Sequence, residues 1–346
     1  MAITEQKKVF DRKKWQLKDF EVDRTLGVGG FARVVLVRIK NTSDRNPFAM
    51  KMWNKYKLAN AYNGRISDAA IVVKSEAMIL SLLAFPFIVN MMTAFQDDRR
   101  VFMLLEFVNG GELHGLIRQE RKLSIERVKF FGAEMLMTIQ HLHDSFIVFR
   151  DLKPENMLFD CLGHTKLIDF GFAKIMLEDH KGEYKTYTNC GTLCYSPPEV
   201  LLNKGYSWSI DLWGYAVMLF EMATGRTPFG ADDPFKVQQR ILSGSITWPK
   251  KMDKTLKDLC KQMFKHEVAQ RLGCKKEGIQ GIKDHKFFED TEWGKQVRRE
   301  IKPPYQPDVK AVDDTSKFPQ YPESLEDSSP ELPQKVLKQW TYILDW

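Results

Sequence analysis

Asp151, Lys153 and Asn156 stand close together in Val148-Phe149-Arg150-Asp151-Leu152-Lys153-Pro154-Glu155-Asn156, between the apolar runs Ile147-Val148-Phe149 and Met157-Leu158-Phe159. A polar loop with such flanks is expected to be held between buried segments and not to serve as a surface linker. An Asp carboxylate there can accept a hydroxyl proton. Asn156, with the acid of Asp169-Phe170-Gly171 downstream, supplies hard oxygen ligands suited to Mg²⁺. Lys153 can neutralise a phosphate.

These groups need elements to carry a substrate to them. Leu26-Gly27-Val28-Gly29-Gly30-Phe31-Ala32-Arg33-Val34 lets backbone approach phosphates closely. A dinucleotide-binding turn is the obvious competitor, but a helix would follow its glycines. Here the β-branched run Val34-Val35-Leu36-Val37 follows, which predicts strand, glycine turn, strand. Phe48-Ala49-Met50-Lys51-Met52-Trp53 alternates at period two, with Ala49 and Lys51 on one side. Alone, Lys51 would read as a surface lysine. The helical pattern Ile71–Leu83, however, puts Glu76 on a face with Val72, Ile79, Leu80 and Leu83. A carboxylate on an apolar stripe needs a partner, and Lys51 is the natural one. Phe85–Val89 and Val101–Val108 read as further strands, Asn109-Gly110-Gly111 as a hinge, and Leu113–Arg121, Ile125–His143 and Asp211–Met222 as helices.

The Arg-Asp-Leu-Lys-Pro-Glu-Asn run, the Asp-Phe-Gly, the Ala49-Met50-Lys51 strand and the glycine turn together resemble the eukaryotic protein kinases, with Phe149 where the usual signature has His. The resemblance implies an α+β fold: an antiparallel-sheet N-lobe over residues 20–107, a helical C-lobe over 108–288, a basic extension 1–19 before them and a wrapping tail 289–346. By resemblance, Asp151 is the base, Lys51 and Glu76 are the activating pair, and Asn156 and Asp169 hold Mg²⁺. ATP would meet Leu26, Gly27, Val28, Gly29, Gly30, Phe31, Val34, Ala49 and Lys51, the backbone of Glu106 and Val108, and Glu112, Glu155 and Asn156. Ala32 replaces the third glycine of the family turn, which predicts a stiffer flap.

Composition sets bounds. Hydrophobic content of 43% and charged content of 28% are ordinary for a globular chain of 346 residues. No apolar run approaches membrane-spanning length. The chain opens Met1-Ala2, without the glycine that myristoylation needs. Five scattered cysteines without a C-x-x-C pair favour reduced thiols and a cytoplasmic setting. His141 and His143 are expected to pack. The net charge of +7 is uneven: Lys7, Lys8, Arg12, Lys13, Lys14 and Lys18 crowd the start, and acids such as Asp313, Asp314, Glu323 and Glu331 gather near the end. Without interleaved aromatics the basic run argues for a solvated face over nucleic-acid binding.

Asp169-Phe170-Gly171-Phe172-Ala173-Lys174, Phe85-Pro86-Phe87 and the tail Asp314–Tyr321 narrow the resemblance to the AGC group, near the cAMP- and cGMP-dependent kinases. That implies serine/threonine substrates bearing Arg before the acceptor, bound by Glu112, Glu155 and Glu221. It also implies a switch segment in which Arg150 and Lys174 bind a phosphate on Thr188, although an unmodified polar loop is the other reading. Asp211 would cap the catalytic loop, Glu199 would pair with Arg271, the tail aromatics Phe318 and Tyr321 would reach the nucleotide cleft, and the end Tyr342–Trp346 would dock back on the N-lobe. Asn189, Leu193, Cys194 and Ser196 depart from the family's pattern around the pocket for the residue after the acceptor, Val72 replaces a phosphate-contacting His, and Gln238 replaces a docking Tyr. A catalytic subunit held by a cyclic-nucleotide-binding partner, the catalytic part of a cGMP-dependent enzyme, and a scaffold that binds nucleotide without transferring phosphate remain open. The intact Lys51, Glu76, Asp151, Asn156 and Asp169 argue against the scaffold.

Overall fold

The computed structural model describes residues 14–42, 45–180, 182–188, 190–323 and 329–344. They fall into two compact units. The first takes the chain up to Ala84, Val89–Gly110 and the residues from Asp308 on, and the second takes Phe85–Ile88 and Gly111–Pro307.

The first unit is built on an antiparallel sheet of β1 (Phe20–Val28), β2 (Ala32–Ile39), β3 (Phe48–Asn54), β4 (Met91–Gln96) and β5 (Arg100–Glu106), in the order β1-β2-β3-β5-β4. Period-two alternation sends Phe48, Met50 and Met52 into a core with Phe20, Val35, Val37, Phe95, Phe102 and Leu104, closed by Trp15. Register then fixes Lys51 between Val34 of β2 and Met103 of β5. Two helices follow β3. Lys55–Ala61 is capped by the Asn54 side chain, which accepts from Lys57 N, and Ile66–Leu82 carries Glu76. This second helix starts at Ile66 and not at Ile71, because Ala69 and Ala70 pack completely and extend the buried face. Val73, not Val72, is buried beside Glu76.

Phe85–Val89 is not a strand. Pro86 lacks a ladder donor, and the segment forms a turn whose Ile88 makes a single bridge to Leu167 within the second unit. The strand that sequence reasoning missed is β4. The tail closes the first unit with the helix Gln334–Ile343, packed on Ile66–Leu82. Its anchors are Trp340 and Leu344, both buried, whereas Tyr342 is 85% exposed. The expected docking end is thus shifted toward Trp340, and Asp345 and Trp346 lie outside the described residues.

The second unit is mainly helical: Leu113–Glu120, Ile125–Asp144, Pro198–Leu201, Ser209–Thr224, Pro234–Ser243, Lys254–Met263, Gln280–Lys283 and Trp293–Val297. Two small antiparallel pairs join them, β6 (Ile147–Val148) with β9 (Lys174–Ile175) and β7 (Met157–Phe159) with β8 (Thr165–Leu167). Ser209–Thr224 is buried from Ser209 to Met222, an apolar run that carries the acids Asp211 and Glu221 near its two ends. At its start, Arg271 grips Glu199 through two bonds of 2.8 and 3.0 Å, both residues being buried. A sheet-bearing unit and a helical unit together make the α+β arrangement expected. No helix among the described residues is long and apolar enough to cross a membrane.

Candidate active site

In the first unit, Lys51 Nζ lies 2.8 Å from Glu76 Oε1, and Glu76 is 3% exposed. A buried carboxylate is tolerable only with such a partner. The Lys51 ammonium also lies 4.9 Å from the centre of the Trp53 ring. Across β1 and β2, Gly29 N donates to Ala32 O, and an added Cβ at Gly27 or Gly30 would meet nothing within 4 Å. The turn therefore leaves room for a ligand at the backbone. Leu26 is buried and Val34 half-buried, while Val28 and Phe31 are exposed. The Glu106 side chain accepts from Asn90 N and Nδ2, and Glu106 N donates to Asn90 O, so that backbone donor is already committed. Val108 is buried beyond β5, and the Phe318 ring of the tail packs 5.6 Å from that of Phe107.

In the second unit, Asp211 holds the backbone of the loop at Phe149–Arg150. Its carboxylate accepts from Phe149 N (2.9 Å), Arg150 N (2.8 Å) and the His143 ring (2.9 Å). These bonds offset the cost of Arg150's left-handed φ of 73°. His143, expected only to pack, thus shares in positioning the loop, whereas His141 stacks on Phe85.

Above that base Asp151 is 4% exposed. Lys153 Nζ donates to its Oδ2 at 2.6 Å, Thr192 Oγ1 to its Oδ1 at 3.1 Å, and Asn156 Nδ2 to its carbonyl and Oδ2 at 2.8 and 3.1 Å. Sequence reasoning did not single out Thr192; the neighbouring glycine was the available signal. Gly191 has φ 90°, and a Cβ there would sit 2.6 Å from Arg150 O. Only glycine lets the Thr192 segment lie against the loop. Asp169 adopts φ 60° at the head of the short turn Phe170–Phe172, a conformation costly for a non-glycine residue.

Glu112, Glu155 and Glu221 gather into one electrostatic group. Partial burial pushes the Glu112 carboxyl up, and Glu155 pushes it further, against His114. Burial likewise raises Glu221, with Tyr195 and His114 lowering it and Glu155 raising it. The Tyr195 hydroxyl donates to Glu221 Oε2 at 2.5 Å, so the internal partner of this acid is a phenol and not an arginine. The His114 ring lies 3.7 Å from Glu155 Oε1, while Glu155 Oε2 is buried without a hydrogen-bond partner among the described residues. Tyr195 and His114 are further residues that sequence reasoning missed.

The switch residues meet around Tyr206. Its hydroxyl donates to Thr188 O and receives from Arg150 Nη1, and Arg150 Nε donates to Phe172 O. Lys174 Nζ donates to Thr186 Oγ1, not to Thr188, whose side chain is exposed. Burial, and then Arg150, push the Lys174 ammonium down, as happens where cations gather without an anion to match. Asn189 lies outside the described residues.

Comparison with known proteins agrees with this geometry. Residues 20–288 match the protein kinase domain family. The chain is 36% identical over 324 residues to the human cAMP-dependent protein kinase catalytic subunit PRKX, covering 94% of this chain and 87% of that one. It is 39% identical over 308 residues to the cAMP-dependent protein kinase catalytic subunit of Dictyostelium discoideum, covering 89% of this chain and 45% of that longer protein. Ribosomal protein S6 kinase alpha-6 from human is 38% identical over 316 residues, covering 91% of this chain and 41% of the relative. With the paired Lys51 and Glu76 and the cradled Asp151 in place, the chain belongs to the protein kinase family, as an AGC-group serine/threonine kinase of the cAMP-dependent catalytic-subunit type.

Proposed function

We propose that this kinase transfers the γ-phosphoryl group of Mg·ATP to Ser or Thr in segments that carry Arg ahead of the acceptor. The observation that carries the substrate reading is the group Glu112, Glu155 and Glu221, in which one carboxylate oxygen is buried and unpartnered. Guanidinium donors would satisfy that oxygen and lower the mutual repulsion that Glu155 imposes on the other two acids.

For the transfer, Asp151 accepts the acceptor's proton, held in orientation by Lys153, Thr192 and Asn156. Lys51, fixed by Glu76, meets the nucleotide phosphates. Asn156 spends its amide nitrogen on Asp151, which leaves its carbonyl oxygen as a hard donor; with the Asp169 carboxylate this suits Mg²⁺, which would supply charge neutralisation at the phosphates. Arg150 and Lys174 are the cations for a phosphate on Thr188, with Lys174 released from Thr186. A cyclic-nucleotide-binding regulatory chain is the partner that the named relatives suggest.

The test is phosphate transfer from labelled ATP to a peptide array. Arg two or three positions before Ser should dominate, and Glu221→Gln should lose that preference while still phosphorylating an Arg-free peptide. A proline- or acid-directed preference would overturn the reading.

A further inference from the structure

The helix Lys254–Met263 is two-faced. Leu256, Leu259, Cys260 and Met263 are buried. At about 100° per residue, Lys254, Lys257 and Lys261 fall within one narrow stripe opposite that buried face. Lys250 and Lys251 precede the helix and Lys265 follows it; all but the half-buried Lys257 are exposed. Trp248 lies under the stripe, with Lys257 and Lys261 ammonium groups 5.7 and 5.9 Å from its ring centre and its edge against Phe220.

The nearby acids Asp253, Asp258 and Glu267 offset only part of the charge of the six lysines. Asp253 is spent as the helix cap, accepting from Leu256 N and the Thr255 hydroxyl. Asp258, at the rim of the stripe, is held by the His285 ring and the Gln262 amide. Glu267, beyond the helix, is exposed. None of these residues belongs to the catalytic or substrate groups.

We infer that this face is a docking surface for an anionic lipid bilayer. The stripe contains lysines and no arginine, so it offers point charges and not the planar fork that reads single carboxylates or phosphates bidentately. Its one aromatic ring is covered by two ammonium groups and packed on Phe220, so it offers no stacking face for a nucleobase. The helix is packed on the core by Leu256, Leu259, Cys260 and Met263, and its outer, lysine-bearing face is convex, which suits contact with an extended charged plane better than threading of a strand. Clusters of about four to eight basic residues are what anionic leaflets attract, with flexible stems that let each charge find a headgroup.

The full chain is tested by co-sedimentation with phosphatidylcholine vesicles, with and without phosphatidylserine, against the triple variant Lys254→Gln, Lys257→Gln, Lys261→Gln. An unchanged melting curve establishes that the variant is folded. Wild type should partition onto the serine-headgroup vesicles only, and concentrated salt should release it. At about fivefold per lysine, the variant should lose on the order of a hundredfold in partition coefficient. Equal binding to both vesicle types overturns the proposal. So does full binding by the variant, since the basic residues near Lys7 and Lys14 remain in it and would then be the contact. Variant-sensitive binding to polyglutamate or RNA without vesicle binding would also overturn it, assigning the face to an acidic macromolecule.

Discussion

Asp151 is surrounded by donors from three directions, and each does a separate job. Lys153 and Thr192 hold the two carboxylate oxygens, and Asn156 fixes the carboxylate against its own backbone. Replacing Asp151 with Asn keeps the shape and removes the proton acceptor, so kcat should fall by about 10²–10⁴-fold with ATP affinity little changed. Glu221→Gln should cost Arg-bearing peptides about 10–100-fold in kcat/KM, the worth of one charge-assisted pair. A third residue can be read through pH. Lys55 is buried with Nζ on Gln96 Oε1 and Asp97 O, 5.7 Å from the Trp340 ring, and burial lowers it to about 8. Its folded-state value lies below its unfolded one, so the unfolded chain binds the extra proton. Stability should therefore rise as pH climbs from about 8 toward 10.5, and Lys55→Met should flatten that part of a melting-temperature profile.

At the scale of elements, the sequence was most legible where one periodicity ran without interruption. The strands bearing the glycine turn and Lys51 and the long helix before the catalytic loop could be placed within a residue or two. The reading failed at Phe85–Val89, where apolar, β-branched composition suggested a strand but Pro86 withheld a donor, and at β4, whose Met91 and Met92 gave little strand signal. Of the site, the polar loop Asp151–Asn156 and the pairing of Lys51 with Glu76 could be read from residue types and spacing, whereas Glu112, Glu155 and Glu221 came only through resemblance. Thr192, Tyr195, His114 and His143 could not, because their partners lie far away along the chain and nothing local announces them. Glu199 and Arg271, also distant, were legible only through resemblance. Breaking that buried pair with Arg271→Met should cost about 3–5 kcal/mol, measured by denaturant unfolding, because Glu199 is left charged and dry.

On the scale of the molecule, the tail is stitched to the glycine-turn strands by hydrogen bonds from residues hundreds of positions away. Glu323 accepts from Thr25 N and Oγ1, Arg24 reaches Thr315 and Pro319, and Arg38 bridges Asp23 and Asp313. The Thr25 backbone bond, above all, holds the Glu323 carboxyl below its ordinary value. The stabilisation it gives is present above the carboxylate range and lost as pH falls through the lowered value. The protection of the Thr25 amide against hydrogen exchange, relative to its intrinsic rate at each pH, should accordingly fall in acid, and Glu323→Gln should show that lower protection already at neutral pH.

The same stitching orders events on the ribosome. The helical unit is almost one continuous run, Gly111–Pro307, whereas the sheet-bearing unit draws on both early and late segments of the chain. Vectorial synthesis therefore delivers the whole acid-bearing half before the pieces that finish the nucleotide-facing half exist. A released chain truncated just past Pro307 should already resist protease across the Ser209–Thr224 helix, while its Lys55 lacks the Trp340 indole.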